Sequence, residues 1–160
     1  MIRRAHAGDA PAIAAILNAS IAAQDSLMVT TPVDAAGLAR QMSEMGDREG
    51  YWVLVEGSLV NGWGVIKRYS PRAGYRWTAE TSVYLRRDQR GRGHGTRLQR
   101  ALMTQCRAWG DHHLVAKIWA SNARSIALHE RLGYERVGVQ REVGFVGGQW
   151  RDVILLQCIL

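Results

Sequence analysis

One glycine- and arginine-rich run constrains this chain more than any other feature: Gln89-Arg90-Gly91-Arg92-Gly93-His94-Gly95-Thr96. A strand is predicted before it, over residues 77–85, and a helix after it, over residues 95–108. Glycines let backbone N–H groups approach an anion closely, and a helix N-terminus carries about half a positive charge. Arg90 and Arg92 add charge-assisted hydrogen-bond donors. The unit predicts an α/β fold with an anion-binding loop at the end of a strand.

This run differs from the two commonest phosphate-binding motifs. Walker A ends in Gly-Lys-Ser/Thr, which is absent here, and the third glycine of GxGxxG would fall at Thr96 or Leu98. The positive charge nevertheless gathers around it. The chain carries 21 Lys+Arg against 14 Asp+Glu, and residues 86–107 alone hold seven arginines and one aspartate. Such an excess indicates an anionic partner: nucleic acid, a membrane surface or a phosphorylated small molecule.

The rest of the pattern predicts one domain over residues 1–160. That length can bury a sizeable core, and a composition of 47% apolar and 22% charged residues excludes disorder. Helices are expected after Asp9, from Pro32 to about Arg48, and over residues 122–132. Strands are expected at residues 2–5, 51–55, 59–67 and 113–119, with a final hairpin over residues 136–144 and 149–159.

We expect no membrane span, secretory leader or metal site. No apolar run approaches the ~20 residues of a span, and the first six residues lack the apolar stretch of a signal peptide. Cys106 and Cys158 lie far apart among apolar neighbours, without CxxC or Cys/His metal spacing. Two reduced, buried thiols in a cytoplasmic protein are therefore predicted.

The spacing Arg90-x-x-Gly93-x-Gly95 resembles the pyrophosphate loop of the GNAT superfamily of acetyl-CoA-dependent N-acetyltransferases. Further segments resemble the phosphinothricin and methionine sulfoximine/sulfone N-acetyltransferases of that superfamily: residues 77–84 (WTAETSVY), 125–134 (SIALHERLGY) and 147–153 (GGQWRDV). The resemblance covers essentially the whole chain, although it is thin from residue 20 to 50. It implies an α/β fold with a mixed sheet of about seven strands and about four helices, acetyl-CoA as co-substrate, and a homodimer.

The resemblance also implies where acetyl-CoA lies. The strand end would follow the pantetheine arm, a backbone N–H there would polarise the thioester carbonyl, and two strands would splay near residues 83 and 117. Asn122 is a plausible helix N-cap, and an asparagine here commonly hydrogen-bonds the arm in GNAT enzymes. The implied cofactor contacts are Val83, Tyr84, Leu85, Arg90, Gly91, Arg92, Gly93, His94, Gly95, Thr96, Asn122 and Ser125.

Glu80 is the predicted general base. Acyl transfer to an amine needs a neutral nucleophile, so a nearby group must accept the proton, and the family places its proposed catalytic carboxylate at this position. His129 is the second catalytic candidate, at a position where many GNAT enzymes carry a tyrosine. An imidazole acts as an acid or assists a base near neutral pH. Tyr84 and Tyr134 remain alternative proton donors to the departing thiolate.

Two arginines before the catalytic strand, Arg72 and Arg76, are candidates for binding the carboxylate of the acceptor, because guanidinium groups bind carboxylates bidentately. Exposed loop arginines are the alternative interpretation. Glu80, Thr81 and Ser82 are the other predicted substrate contacts.

The predicted activity is acetyl transfer to the α-amine of a small amino-acid-like molecule, of the phosphinothricin, methionine sulfoximine or methionine sulfone type, by direct attack in a ternary complex. Acetylation of a protein N-terminus, a polyamine or an aminoglycoside is the alternative within the family. A basic nucleic-acid-binding module is the alternative of another class. It is disfavoured because no aromatic residue lies between Tyr84 and Trp109 for base stacking. Neither nucleic acid nor a membrane is an expected partner.

Overall fold

A computed structural model describes residues 1–160, the whole chain. Seven strands form one mixed sheet in the order β1-β2-β3-β4-β5-β7-β6, which confirms the expected strand number. Only β4 and β5 run parallel; every other neighbouring pair is antiparallel. The strands are β1 Ile2–Arg4, β2 Gly50–Glu56, β3 Leu59–Arg68, β4 Thr78–Leu85, β5 His113–Trp119, β6 Glu135–Val146 and β7 Gln149–Ile159.

Four α-helices cover the two faces of the sheet: α1 Ala10–Ala23, α2 Ala35–Ser43, α3 His94–Ala108 and α4 Ala123–Arg131. The starts of α2 and α4 follow capping signals, since Asp34 accepts a hydrogen bond from the Gly37 N–H and Asn122 accepts one from the Ser125 N–H. Helices α1 and α2 pack on one face, and α3 and α4 pack on the other. None of these helices is long and apolar enough to span a membrane.

The alternation of side chains along β3 and β4 divides the core between these two faces. Trp63 and Val65 pack with α1 and α2, whereas Ile66 and Ala79 pack with α3 and α4. Successive residues of a strand point to opposite faces. Glu80 therefore faces α1 and α2, and its neighbours in sequence face α3.

Strands β4 and β5 diverge after a short paired section. Thr78–Glu80 pairs with His113–Val115, and no pairing continues beyond Glu80 and Val115. The expected splay of these two strands is confirmed. It leaves the second half of β4 without a neighbour on its β5 side.

Two predicted elements, the second helix and the first strand of the final hairpin, differ from the structure by more than one residue at an end. Helix α2 ends at Ser43 instead of near Arg48. The Glu49 carboxylate accepts hydrogen bonds from the backbone N–H groups of Gly46 and Arg68, which turns the chain back toward the sheet. Strand β6 is longer than predicted because the ladder with β7 continues beyond two register irregularities.

Candidate active site

A cavity of about 320 Å³ opens where β4 and β5 diverge, and we call it the wedge cavity. Strands β4 and β5, the start of α4 and the glycine-rich loop form its walls. It brings together eight of the predicted cofactor or catalytic residues: Val83, Tyr84, Leu85, Arg90, Gly95, Asn122, Ser125 and His129.

The wedge cavity offers unpaired backbone donors from β4. The Arg86 N–H donates to the Asn61 carbonyl on the β3 side. Because hydrogen-bonding direction alternates along a strand, the N–H groups of Leu85 and Val83 point toward β5, which has moved away. Backbone donors in this position can polarise a carbonyl oxygen or bind an extended amide-bearing chain.

The glycine-rich loop adopts a conformation that needs glycine. Gly91 and Gly93 have φ angles of 81° and 78°, in the left-handed region, and Gly93 is the N-cap of α3. Arg92 and Thr96 lie in the same segment but do not line the cavity.

His94 lies outside the wedge cavity, contrary to its predicted contact with a cofactor. Its imidazole is buried at the start of α3, with Nε2 3.8 Å from a Glu56 oxygen and Nδ1 3.4 Å from Arg97 Nη1. The helix directs this side chain toward the β2–β3 turn. The loop therefore presents Arg90 and the helix N-terminus to a ligand, without this histidine.

Four of the seven arginines in residues 86–107 form ion pairs with carboxylates, so part of the positive charge of this segment is neutralised in the folded chain. Asp25, after α1, lies 2.9 Å from Arg87 and 3.5 Å from Arg90, and Asp25 also lines the wedge cavity. The two other pairs are Arg86–Asp88 and Arg97–Glu56.

His129 is held as a neutral imidazole in the wall of the wedge cavity. Its Nδ1 lies 2.8 Å from the Ser125 carbonyl oxygen, which only accepts, so Nδ1 carries the hydrogen. Its Nε2 is buried and has no hydrogen-bond partner. Burial lowers the pKa of His129. The ring therefore offers an acceptor nitrogen rather than an acidic proton.

Tyr134 and Thr81 belong to a buried polar cluster, of which Thr81 also lines the wedge cavity. Gln99 Nε2 donates to the Tyr134 hydroxyl at 2.7 Å and to the Thr81 hydroxyl at 2.9 Å. Burial raises the pKa of Tyr134, which lines neither this cavity nor the one described next. Thr81 faces α3, so it lies on the opposite face of β4 from the other predicted substrate contacts, Glu80 and Ser82.

A second cavity, of about 450 Å³, lies between the sheet and helices α1 and α2, and we call it the aromatic cavity. Tyr51, Trp63 and Tyr84 form its floor, with the rings of the last two stacked at 4.4 Å. Glu80 lines this cavity, while Ser82 and Tyr84 line both cavities. Its remaining wall includes Leu17, Leu27, Val29, Pro32, Val33, Asp34, Gly37, Leu38 and Gln41, in the region where the sequence carries little family signal.

Two lysines that the sequence reasoning missed flank Glu80. Lys117 Nζ on β5 lies 2.8 Å from Glu80 Oε2, and Lys117 lines the wedge cavity. Lys67 on β3 is the direct cross-strand partner of Glu80 and lines the aromatic cavity. They are the only lysines among the 21 Lys and Arg residues of the chain, and this rarity was the one sequence signal that could have marked them as candidate site residues.

Arg72 and Arg76 do not meet Glu80 within one chain. They line a third cavity, of about 300 Å³, together with Arg68, Asp111 and Ala79. The third cavity shares no lining residue with the aromatic cavity, so these arginines do not line the cavity that contains Glu80. Their binding of the substrate carboxylate stays a prediction.

A parallel strand pair that splays beside a glycine–arginine loop, with a carboxylate at the point of divergence, agrees with the acyltransferase fold that the resemblance implies. The chain belongs to the acetyltransferase (GNAT) family, whose family model matches residues 22–134. It is an acetyl-CoA-dependent N-acetyltransferase, which confirms the predicted class and co-substrate.

Three similar proteins support this assignment. The L-methionine sulfoximine/L-methionine sulfone acetyltransferase of Pseudomonas paraeruginosa is 40% identical over 159 residues, 98% of this chain and 92% of the relative. A crystal structure of a phosphinothricin acetyltransferase from Sinorhizobium meliloti in complex with acetyl-CoA has a TM-score of 0.94 and 32% identity, covering 100% of this chain and 88% of that one. The structure of a ribosomal-protein-alanine N-acetyltransferase from Brucella melitensis has a TM-score of 0.96 and 33% identity, covering 100% and 99%.

Proposed function

We propose that this enzyme acetylates the α-amine of a small amino-acid-like molecule of the methionine sulfoximine, methionine sulfone or phosphinothricin type. The observation that carries the proposal is the position of Glu80. It lines the aromatic cavity and is the last residue of β4 that pairs with β5 before the wedge cavity opens. An amine held by Glu80 would therefore lie beside the end of the wedge cavity.

The wedge cavity fits acetyl-CoA, which supplies an acetyl group activated as a thioester. Arg90 and the N-terminus of α3 would bind its phosphates, because both favour negative charge. The free N–H groups of Val83 and Leu85 and the amide of Asn122 would bind its extended arm. One of these β4 donors would also stabilise the negative charge that develops on the carbonyl oxygen.

Glu80 would bind the acceptor's ammonium group and accept its proton, so that the neutral amine can attack. Lys117 would hold the Glu80 side chain in place through their ion pair. The transfer would be direct. Cys106 and Cys158 are buried, line neither cavity and have pKa values raised by burial, so neither presents a thiolate for an acyl-enzyme.

Tyr84 would stabilise the departing sulfur. Its side chain lines both cavities, and burial raises its pKa to about 12, so the phenol keeps its proton at physiological pH. It can donate a hydrogen bond to a thiolate, whereas the neutral His129 offers only an acceptor at Nε2. We therefore assign His129 to the cavity wall and Tyr84 to the leaving group.

We also propose that the enzyme is a cytoplasmic homodimer. The sheet edge formed by β6 and β7 exposes large apolar side chains, among them Val137, Val139, Phe145 and Trp150. An uncovered edge strand of this kind favours association with a second chain. The two free buried cysteines are typical of a reducing compartment. Sedimentation equilibrium tests the dimer.

A free-thiol release assay with acetyl-CoA tests the activity across a panel of acceptors. We expect the highest kcat/KM for methionine sulfone, methionine sulfoximine or phosphinothricin. The panel also contains other amino acids, polyamines, aminoglycosides and alanine-terminated peptides. A preference of tenfold or more for a peptide or a polyamine would overturn the proposal. Reactions without an acceptor measure thioester hydrolysis and serve as the control.

A further inference from the structure

Glu80 lies between the only two lysines of a chain that otherwise uses arginine for positive charge. Lys67 is opposite Glu80 on β3, and Lys117 lies two residues beyond Val115, its partner on β5. All three side chains belong to the same face of the sheet, because residues two apart on a strand, and cross-strand partners, share a face.

The two lysines have different surroundings. Lys117 is committed to Glu80, at 2.8 Å, and its ammonium group also lies 5.7 Å from the centre of the Tyr69 ring. Lys67 makes no ion pair, and it lines the aromatic cavity with Glu80. The cavity therefore presents a carboxylate, Glu80, and an ammonium group without an ion pair, Lys67, on directly opposed strand positions, whose Cβ atoms are typically about 5 Å apart. The second carboxylate of the cavity, Asp34, caps α2 by accepting a hydrogen bond from the Gly37 N–H.

This arrangement complements the head group of an α-amino acid, whose amine and carboxylate are attached to one carbon. We propose that Lys67 binds the α-carboxylate of the acceptor while Glu80 receives its amine. The inference rests on the proposed function and deepens it by naming the residue that restricts the enzyme to α-amino acids. Arg72 and Arg76 line a different cavity of the same chain, which shares no residue with the aromatic cavity.

The rest of the aromatic cavity is suited to the acceptor's side chain. Its wall beyond the charged pair is largely apolar, with Leu27, Val33 and Leu38 facing the stacked rings of Trp63 and Tyr84. An acceptor bound by both charges would direct a flexible, weakly polar side chain into this wall. A polyamine would instead bring a second cation to Lys67, and a peptide N-terminus would lack the α-carboxylate.

The test compares an acceptor with its neutral carboxamide in several variants. For the wild type we expect kcat/KM to be ~10- to 100-fold higher for methionine sulfone than for its amide, the range of one hydrogen bond to a charged group. In Lys67→Met the ratio should fall by ~10- to 100-fold relative to the wild type, through a higher KM for the carboxylate, with kcat little changed. Lys67→Arg should keep part of the preference. The difference in amine basicity between the two acceptors cancels, because the same pair is used throughout.

Arg68→Met is the matched control, since it removes one positive charge from the next residue of β3, on the opposite face. It should keep the wild-type ratio. Thermal melts and CoA binding by calorimetry establish that each variant is folded. An unchanged ratio in Lys67→Met, or a loss of the preference in Arg72→Met instead, would overturn the role of Lys67 and leave the proposed function in place. A wild type that acetylates no amino acid in the panel would overturn the proposed function as well.

Discussion

The wedge cavity and the aromatic cavity lie on either side of one strand, yet they are built in different ways. The wedge cavity takes most of its wall from two strand–loop–helix units, and much of what it offers a ligand is backbone: a helix start, a glycine loop and the free edge of β4. The aromatic cavity collects side chains from two helices, three strands and the connection between α1 and α2. Backbone-based recognition needs a particular local motif, whereas side-chain recognition tolerates many sequences.

Strand β4 belongs to both cavities. Ser82 and Tyr84 line the two, while Glu80 lines one and is ion-paired with a residue of the other. A variant that alters only one cavity should therefore affect the binding of acetyl-CoA or of the acceptor, but not both. A variant of a β4 residue that lines both cavities should affect both.

The largest expected effect is that of Glu80→Gln, which removes the proposed base from the aromatic cavity. We expect kcat to fall by ~10²-fold or more, with the Kd for acetyl-CoA unchanged because Glu80 does not line the wedge cavity. Steady-state kinetics and calorimetry measure the two quantities. Turnover close to that of the wild type across pH would remove Glu80 from the mechanism.

Tyr84→Phe tests the residue shared by the two cavities. Loss of the phenolic donor should lower kcat by about 10- to 100-fold, the range for one hydrogen bond to a charged group. Both KM values should change little, because the stacked ring remains. Thioesters with better leaving groups should be less affected by the substitution. If His129→Gln lowers kcat more than Tyr84→Phe does, the roles that we assign to these residues are wrong.

Arg90→Met should affect only the wedge cavity. We expect a roughly tenfold weaker binding of acetyl-CoA and an unchanged KM for the acceptor at saturating acetyl-CoA. The substitution also frees Asp25 from one of its two arginine contacts. Asp25→Asn therefore serves as a companion variant, and it should strengthen CoA binding slightly because a carboxylate is removed near the phosphates. Weaker binding in both variants would show that the ion pair itself shapes the loop.

The smallest expected effect is on the pH dependence of thermal stability, and it comes from His129. Burial lowers the pKa of His129 in the folded state, so below the unfolded value of about 6.5 the unfolded chain takes up a proton that the folded chain resists. The wild type should therefore lose Tm relative to His129→Gln as the pH falls from 7.5 to 5.5. Thermal melts across this range measure the difference, with His112→Gln, an exposed histidine, as control. A difference in Tm that does not vary with pH would contradict the neutral, buried state of His129.

Sequence patterns within single segments predicted many of the residues that line the wedge cavity. The loop glycines, the Asn122 cap and the strand end all depend on neighbours close in sequence, and the resemblance added their roles. Thr81 shows a signal that went unused, since period-two alternation alone separates it from Glu80. Lys67 and Lys117 are different, because pairing with Glu80 depends on the register between strands distant in sequence.

The sequence by itself determined the order of helices and strands, the anion-binding loop and the enzyme family, because capping, glycine conformation and hydrophobic period are local properties. The tertiary structure decided which face each side chain occupies. It directed His94 away from the wedge cavity, placed Arg72 and Arg76 in a different cavity from Glu80, and placed both lysines beside that carboxylate. Strand pairing and splay arise from contacts between segments far apart in the chain, and only folding brings those segments together.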